Sequence, residues 1–283
     1  MTHTGSNSQI KSVAVIPARY GATRLPGKPL LEIAGKPLIV WVAERARSAK
    51  TISRTIVATD DPRIVDAVNA AGFDAVITRA DHATGTDRVA EVAHNLRADI
   101  IVNVQGDEPL ISPETIDRAV NALIDDPDSQ MSTTWEAITE ETDATNPSVV
   151  KVTFDENGYA TNFSRNPISN SRNPISNQTD KKSGLTESSP EKSGLLFDFK
   201  KHTGLYAYRR DFLLAFARWP QSENERKESL EQLRALDHGV KIRVVEAASP
   251  SIGVDTLEDL EKVRSIVSEP PALAGGQSSG AVR

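Results

Sequence analysis

Short apolar runs and segments of helical periodicity alternate along the first half of the chain. The apolar runs lie at residues 13–18, 55–58, 75–78 and 100–104, and the helical segments at 37–49, 61–71, 86–96 and 113–123. Strands that alternate with helices indicate βαβ units, a parallel sheet and right-handed crossovers. Such sheets bind ligands at the carboxyl ends of their strands, so the loops after Ala18 and Val104 form the candidate site.

From Met131 onwards the pattern becomes richer in β-structure. It predicts strands at residues 149–154 and 204–208, and helices at 210–218, 226–238 and 257–267. The predicted fold class is therefore α/β, with a mostly parallel sheet flanked by helices and a smaller β-rich part in the second half.

A polar segment of low complexity interrupts the second half. The heptad SRNPISN occurs at residues 164–170 and again at 171–177, and Lys-Ser-Gly-Leu begins at both Lys182 and Lys192. A segment rich in Ser, Asn, Pro and Lys cannot bury enough apolar surface to order itself. We therefore predict a polar insertion at 166–196, whose role as a lid, an interface element or a disordered loop stays open. Flexible termini are predicted at 1–9 and 269–283.

Composition narrows the class of protein. Hydrophobic residues make up 38% and charged residues 25% of the 283-residue chain, as in soluble globular proteins. No apolar run approaches the ~20 residues of a membrane-spanning helix, and residues 1–9 lack the apolar core of a signal peptide. The absence of cysteine excludes disulfides, thiolate metal sites and a cysteine nucleophile. Together these features predict a cytoplasmic protein with no membrane insertion.

The charge balance bears on the partners of the protein. A net charge of -6 disfavours a general nucleic-acid binder, which normally carries a basic surplus. An anionic substrate remains compatible with this total, because the local arrangement of charges matters more than their sum.

The densest chemical signal is the loop that follows the first predicted strand. It places Arg19, Arg24 and Lys28 among two glycines, Gly21 and Gly27. Backbone N–H groups freed by the glycines can bind phosphate oxygens, two guanidinium groups add bidentate contacts, and the lysine adds a mobile charge. This set of donors suits a triphosphate, and a solvated basic turn is the alternative.

A P-loop NTPase is excluded by the spacing of the same loop. Five residues separate Gly21 from Gly27, whereas the P-loop has four between its glycines. Pro29 also stands where the P-loop carries its metal-binding hydroxyl, and proline lacks the N–H that the P-loop helix offers.

Residues 17–29 resemble the signature of the sugar-acid cytidylyltransferases, in particular the CMP-Kdo synthetase (3-deoxy-manno-octulosonate cytidylyltransferase) family. Further matching segments are VATDD at 57–61, TRADHATGTDR at 78–88, NVQGDEP at 103–109, HTGLY at 202–206, LEQLR at 230–234 and GVDT at 253–256. Their order and spacing together make the resemblance specific, and it covers residues 13–267 apart from the insertion.

The resemblance implies a Rossmann-like nucleotide-diphospho-sugar transferase fold with a smaller β-rich subdomain for sugar binding and dimerisation. It divides a single domain at 10–268 into a nucleotide-binding half at 10–128, a sugar-binding and dimerisation half at 129–250, and a metal-site loop with a C-terminal helix at 251–268. A homodimer is expected from the same resemblance.

Two aspartates are the candidate metal ligands. Transfer of a nucleotidyl group is an in-line displacement that needs charge neutralisation on the triphosphate, and Mg²⁺ binds phosphates together with a few carboxylates. Asp107 follows the most apolar predicted strand, and Asp255 precedes a predicted helix. The resemblance implies that both hold Mg²⁺, and that Arg19 and Lys28 join them as catalytic residues. Taken alone, Asp255 could be an ordinary helix N-cap.

The resemblance also assigns the remaining site residues. The implied nucleotide-binding residues are Pro17, Ala18, Arg19, Arg24, Lys28, Arg79, Thr84, Gly85, Thr86 and Gly106. The implied residues for the acidic sugar are Gln105, Arg165, His202, Glu231 and Gln232. Structural or solvent-facing roles are the alternatives for His202, Glu231 and Gln232, and His82 could equally be a surface histidine.

The sequence departs from the family near the sugar-binding residues. After Arg165 the family usually continues through Ile-Pro, whereas here Ile168 is followed by Ser169 and by the repeat. Whether Arg165 or its duplicate Arg172 faces the sugar stays open. Leu257 stands where the family often has proline.

The implied activity is transfer of CMP from CTP to the anomeric hydroxyl of 3-deoxy-D-manno-octulosonate (Kdo), which gives CMP-Kdo and pyrophosphate for lipopolysaccharide biosynthesis. Two alternatives remain at this point. One is a cytidylyltransferase for another acidic sugar, of the amino-Kdo or sialic acid type, or for another nucleotide. The other is a non-catalytic nucleotide-binding α/β protein.

Overall fold

The computed structural model describes residues 10–21, 24–138, 140–166 and 200–268. The predicted termini, the insertion beyond Asn166 and Arg172 lie outside these residues. No helix in the described ranges is long and apolar enough to span a bilayer.

Strands and helices alternate as predicted through the first half. The strands are β1 Ser12–Ala18, β2 Glu32–Ile33, β3 Lys36–Pro37, β4 Ile52–Thr59, β5 Asp74–Ile77, β6 Ile100–Asn103, β7 Met131–Ala137, β8 Lys151–Phe154, β9 Ala160–Ser164, β10 Lys200–Arg209 and β11 Ile242–Glu246. The helices are α1 Leu38–Arg47, α2 Pro62–Ala70, α3 Gly85–His94, α4 Pro113–Asp125, α5 Glu141–Thr145, α6 Arg210–Phe216, α7 Glu223–Glu228, α8 Gln232–Asp237 and α9 Leu257–Ser268.

One sheet runs through both halves in the order β11-β7-β10-β6-β1-β4-β5, and β8 and β9 attach to it beside β10. β1 is parallel to both β4 and β6, β5 is parallel to β4, and β11 is parallel to β7. Only β10 runs antiparallel to its neighbours within this order, β6 and β7. The chain thus leaves β1 towards β4 on one side and returns to β6 on the other, which creates a switch in strand order at β1.

The strand β1 is buried on both faces, and this explains its continuous apolar run. Ala14 and Ile16 belong to the core under α1, α4 and α9, whereas Val13 and Val15 belong to the core under α3, α6 and α8. Side chains alternate between the faces of a strand, so a strand covered by helices on both sides needs apolar residues at every position.

The continuous helix predicted at residues 226–238 is wrong. α7 ends at Glu228, its C-cap Ser229 has φ 54° and ψ 46° in the left-handed region, and α8 begins at Gln232. Arg234 on α8 reaches back to Glu225 on α7 with two hydrogen bonds of 2.6 and 2.7 Å, and both side chains are buried. This buried ion pair favours a reversal between two short helices over one straight helix.

Candidate active site

A cleft of about 400 Å³ opens at the carboxyl ends of β1 and β6, where the strand order switches. Its lining residues are Pro17, Ala18, Arg19, Gly21, Arg24, Lys28, Pro29, Gly85, Arg88, Gln105, Gly106, Asp107 and Asp255. All four predicted catalytic residues are among them, together with most of the predicted nucleotide-binding residues. The structure therefore brings into one cleft residues from both ends of the chain.

The basic loop is folded back on itself by Gly27. This residue has φ 70°, and its N–H donates to the Tyr20 carbonyl over 3.0 Å. A Cβ at Gly27 would lie 3.2 Å from the Tyr20 hydroxyl oxygen, in a conformation that residues other than glycine rarely adopt. The turn places Lys28 at the start of a short 3₁₀ helix, Lys28–Leu30, with its side chain in the cleft.

At the floor of the cleft, one ammonium group bridges two carboxylates. Lys28 Nζ lies 2.8 Å from Asp107 Oδ2 and 3.1 Å from Asp255 Oδ1. The backbone holds the two aspartate segments together, because the Val254 N–H donates to the Asp107 carbonyl over 2.8 Å. Burial of Lys28 opposes its charge, but the ion pairs with Asp107 and then Asp255 outweigh this effect and raise its pKa. Lys28 thus stays cationic at neutral pH.

Further arginines line the cleft beside Lys28. Arg24 lies 3.3 Å from Asp255 and keeps three quarters of its side chain exposed, at 75%. Arg19 also lines the cleft. The cleft that contains the two aspartates is therefore lined by all three basic residues of the loop.

Two glycines make the inner wall of the cleft a backbone surface. A Cβ at Gly106 would lie 2.5 Å from the Pro17 carbonyl oxygen, and a Cβ at Gly85 would lie 3.4 Å from the Pro17 ring. No side chain fits between Pro17 at the end of β1 and Gly106, three residues after β6, so these two backbone segments are in contact. The wall that they form is lined largely by main chain.

Arg88 lines the cleft but carries no role in the sequence-based prediction. Its buried guanidinium donates to Thr78 Oγ1 over 2.5 Å and to Asp60 Oδ2 over 3.0 Å. It thereby ties α3 to the ends of β4 and β5. The sequence feature that could have identified Arg88 as a site residue is its position in the matched segment at 78–88, one helical turn after Gly85.

Three predicted nucleotide-binding residues do not line the cleft. The guanidinium of Arg79 pairs with Asp81 at the surface and lines a separate cavity with His82. Thr84 and Thr86 flank Gly85, but their hydroxyls contact a carboxylate of the second half, that of Glu231.

Of the residues predicted to bind the sugar, Gln105 alone is among those that line the cleft in the described chain, and its side-chain amide donates to the Gly204 carbonyl over 2.9 Å. His202 is buried at 9% exposure, with Nε2 2.9 Å from Thr133 Oγ1. Burial lowers the pKa of His202 to about 3, so its imidazole is neutral. Gln232 is buried in α8.

Arg165 is held away from the cleft by main-chain carbonyls. Its Nε donates to the Glu228 carbonyl over 3.1 Å and its Nη1 to the Pro147 carbonyl over 3.3 Å. The buried ammonium of Lys151 fixes the same loop by donating to the Arg165 carbonyl over 3.2 Å.

Comparison with known sequences identifies the family. The chain matches the family model described as Cytidylyltransferase over residues 13–242. A 3-deoxy-manno-octulosonate cytidylyltransferase of Trichlorobacter lovleyi is 50% identical over 252 residues, which cover 89% of this chain and 96% of that relative. The protein of the same name from Escherichia coli is 45% identical over 259 residues, with 92% and 97% covered.

Solved structures agree with the sequence comparison. The structure of CMP:2-keto-3-deoxy-manno-octonic acid synthetase complexed with CTP matches with a TM-score of 0.79 at 44% identity, covering 91% of this chain and 98% of that one. A cytidylyltransferase from Leptospira borgpetersenii, at 18% identity and a TM-score of 0.57 over 92% and 87% of the two chains, shares the fold. The predicted fold class is confirmed. With a basic loop, two aspartates and a backbone wall in one strand-end cleft, the chain belongs to the 3-deoxy-manno-octulosonate cytidylyltransferase family.

Proposed function

We propose that this protein transfers CMP from CTP to the anomeric hydroxyl of Kdo, releasing pyrophosphate. The observation that carries this proposal is the convergence of Lys28, Asp107 and Asp255 at the floor of the strand-end cleft. A cation-bridged pair of carboxylates below two arginines suits a triphosphate whose charge must be balanced during nucleotidyl transfer. The names of the relatives support CTP as the donor and Kdo as the acceptor.

The positions of the charged side chains in the cleft favour one orientation of the nucleotide. Arg19, Arg24 and Lys28 would bind the phosphates, and the base would lie against the backbone wall formed by Pro17, Gly85 and Gly106. A wall of closely packed backbone favours a small pyrimidine over a purine, because it cannot move aside as flexible side chains can. Arg88, held by Asp60 and Thr78, would add a fixed positive charge to the wall of the same cleft.

We further propose Mg²⁺ as the cofactor, held by Asp107 and Asp255. Their carboxylates converge on one cationic group, and they remain 33% and 54% exposed, so each keeps lone pairs for a hydrated cation. Mg²⁺ suits a site with two protein carboxylates because phosphates and waters complete its octahedron. When bound, it would neutralise triphosphate charge and acidify the attacking hydroxyl.

The protein's own residues contribute position and charge to the chemical step. The anomeric hydroxyl of the sugar loses its proton to water while its oxygen forms a bond to the α-phosphorus. The bond from that phosphorus to the bridging oxygen breaks, and pyrophosphate leaves with the electron pair. Arg19, Arg24 and Lys28 would stabilise the negative charge that grows on the departing pyrophosphate. No covalent intermediate with the protein is needed.

The acceptor side extends from Gln105 towards α8, where Glu231 and Gln232 lie. Gln105 is the member of this set that touches both the cleft and the second half, through the Gly204 carbonyl. The sugar-binding roles of Arg165, His202, Glu231 and Gln232 remain proposals, as do the homodimer, the cytoplasmic location and the place in lipopolysaccharide synthesis. Light scattering on the purified protein would test the homodimer.

A pyrophosphate-release assay with CTP, Mg²⁺ and a panel of sugar acids tests the function. Release with Kdo supports the proposal, release with sialic acid or amino-Kdo alone would redirect the acceptor, and no release with any acid would leave only nucleotide binding. A chelator should abolish release, and excess Mg²⁺ should restore it.

Substitution of a proposed metal ligand tests the mechanism. Asp107→Asn should lower kcat by roughly 10²-fold or more, because one of the two carboxylates proposed to hold Mg²⁺ is lost, and with it the neutralisation of triphosphate charge. Asp128→Asn is the matched control, since Asp128 is 77% exposed and pairs only at the surface with Lys241. Near-full turnover of Asp107→Asn would refute the assignment.

A further inference from the structure

A carboxylate of the second half reaches the turn that carries Gly85. Glu231, just before α8, accepts hydrogen bonds from Thr84 Oγ1 at 3.3 Å and from Thr86 Oγ1 at 2.6 Å. Gly85 itself lines the cleft, so these two hydroxyls flank a residue that faces the nucleotide. The carboxylate thus joins the two halves of the protein at the edge of the proposed active site.

The hydroxyl of Thr86 is committed to this carboxylate. A threonine hydroxyl has one proton to donate, and an ionised carboxylate can only accept. Thr86 is buried at 4% exposure, and its bond to Glu231 is the shorter of the two. Thr84 has a second task, because its Oγ1 also accepts the N–H of Asp87 and caps α3. Thr86 is therefore the main donor that orients Glu231.

The negative charge of Glu231 is partly balanced by an arginine on the adjacent helix α8. Arg234, 4% exposed, lies 3.4 Å from Glu231 while it also pairs with Glu225. Burial raises the pKa of Glu231, and the Thr86 hydrogen bond and Arg234 act against this rise. The Glu231 side chain keeps 24% exposure, so part of it remains available to a ligand.

We propose that Thr86 is a positioning residue for the sugar acceptor and not a ligand of the nucleotide. Its hydroxyl holds Glu231 in the orientation that receives the sugar hydroxyls, and it links that orientation to the Gly85 turn. This inference rests on the proposed function, in which Glu231 binds the acidic sugar. It changes the role that the family resemblance implies for Thr86.

The test compares the change in KM for Kdo with the change in KM for CTP in the pyrophosphate-release assay. Thr86→Val removes the hydroxyl and keeps the shape, so KM for Kdo should rise roughly ten-fold or more, as for a lost hydrogen bond to a charged group. KM for CTP should stay within about two-fold, since the interactions that bind the nucleotide are unchanged. Thr86→Ser, which keeps the hydroxyl, should restore KM for Kdo.

Thr115→Val is the matched control, because Thr115 is also 4% exposed and its Oγ1 accepts the Ala248 N–H at 2.9 Å, away from the cleft. It should leave both KM values unchanged. In a Glu231→Met background, which removes both acceptor oxygens, Thr86→Val should have a much smaller effect on KM for Kdo, because the two residues act as a pair. Full additivity of the two substitutions would overturn the proposal.

Two other outcomes also overturn the inference, and they differ from a failure of the proposed function. If Thr86→Val raises KM for CTP and spares KM for Kdo, Thr86 is a nucleotide ligand. If neither KM changes, Glu231 does not depend on Thr86. If the unaltered protein releases no pyrophosphate with Kdo, the acceptor assignment itself fails, and the positioning role falls with it.

Discussion

Substituting Gly106 by alanine should push apart the end of β1 and the loop that follows β6. A Cβ at position 106 would lie 2.5 Å from the Pro17 carbonyl oxygen, whereas real Cβ atoms essentially never approach within 3.0 Å. The two backbone segments must therefore separate by about 0.5 Å, and by nearly 1 Å for ordinary contact at 3.4 Å. Pro17 lies in β1 beside Ala58 of β4, so this carbonyl cannot rotate away without disturbing the sheet.

The expected magnitude follows from the size of this shift. Overpacking of a buried contact costs about 1–3 kcal/mol of unfolding free energy. A displacement near 1 Å between groups that position the reaction costs roughly 10²-fold in rate. We expect Gly106→Ala to lower kcat by about 10- to 100-fold, with a smaller loss of stability, because the clash lies inside the cleft.

The assay combines pyrophosphate release with urea unfolding of the same preparation. Gly253→Ala is the control, because a Cβ at Gly253 meets nothing within 4 Å although the residue lies close to Asp255 in the sequence. The control should keep both activity and stability within about two-fold and about 0.5 kcal/mol. If Gly106→Ala behaves like the control, the contact with Pro17 does not determine the geometry of the cleft, and the backbone wall proposed for the base is wrong.

Three further results are expected. Lys28→Met should lower kcat/KM for CTP by roughly 10²-fold or more, because the cation between the two carboxylates is lost, and near-normal kinetics would contradict its role. Arg234→Met should cost about 3–5 kcal/mol in urea unfolding by leaving the buried Glu225 carboxylate unpaired, and the added change Glu225→Gln should recover part of this loss. His202 has a pKa of about 3 when folded against about 6.5 when unfolded, so the unfolded chain binds the extra proton between these values. The contribution of His202 to stability is therefore full above pH 6.5 and falls as pH drops towards 3. His202→Gln should reduce this slope by up to about 1.4 kcal/mol per pH unit, and an unchanged slope would show that His202 is not neutral.

Local patterns were sufficient for the framework of the fold. The apolar runs at 13–18 and 100–104 match β1 and β6 within a residue or so, because both strands are covered on two faces and must be apolar throughout. Segments of helical periodicity that begin beside Gly, Pro or Asp likewise predicted α2, α3 and α4. The loop with Lys28 and the aspartates Asp107 and Asp255 stood out for the same reason, since each follows or precedes a strongly patterned element.

The tertiary structure alone decided which partner each polar side chain takes. Lys28 meets Asp255 across 227 positions of the sequence, and Thr86 meets Glu231 across 145. The periodicity of a single helix or strand carries no information about contacts between residues so far apart in the sequence. Thr86 and Glu231 could therefore be predicted as site residues from the sequence, but not as a hydrogen-bonded pair. The break between α7 and α8 has the same origin, because the Arg234–Glu225 pair that accompanies it is buried only once the chain has folded.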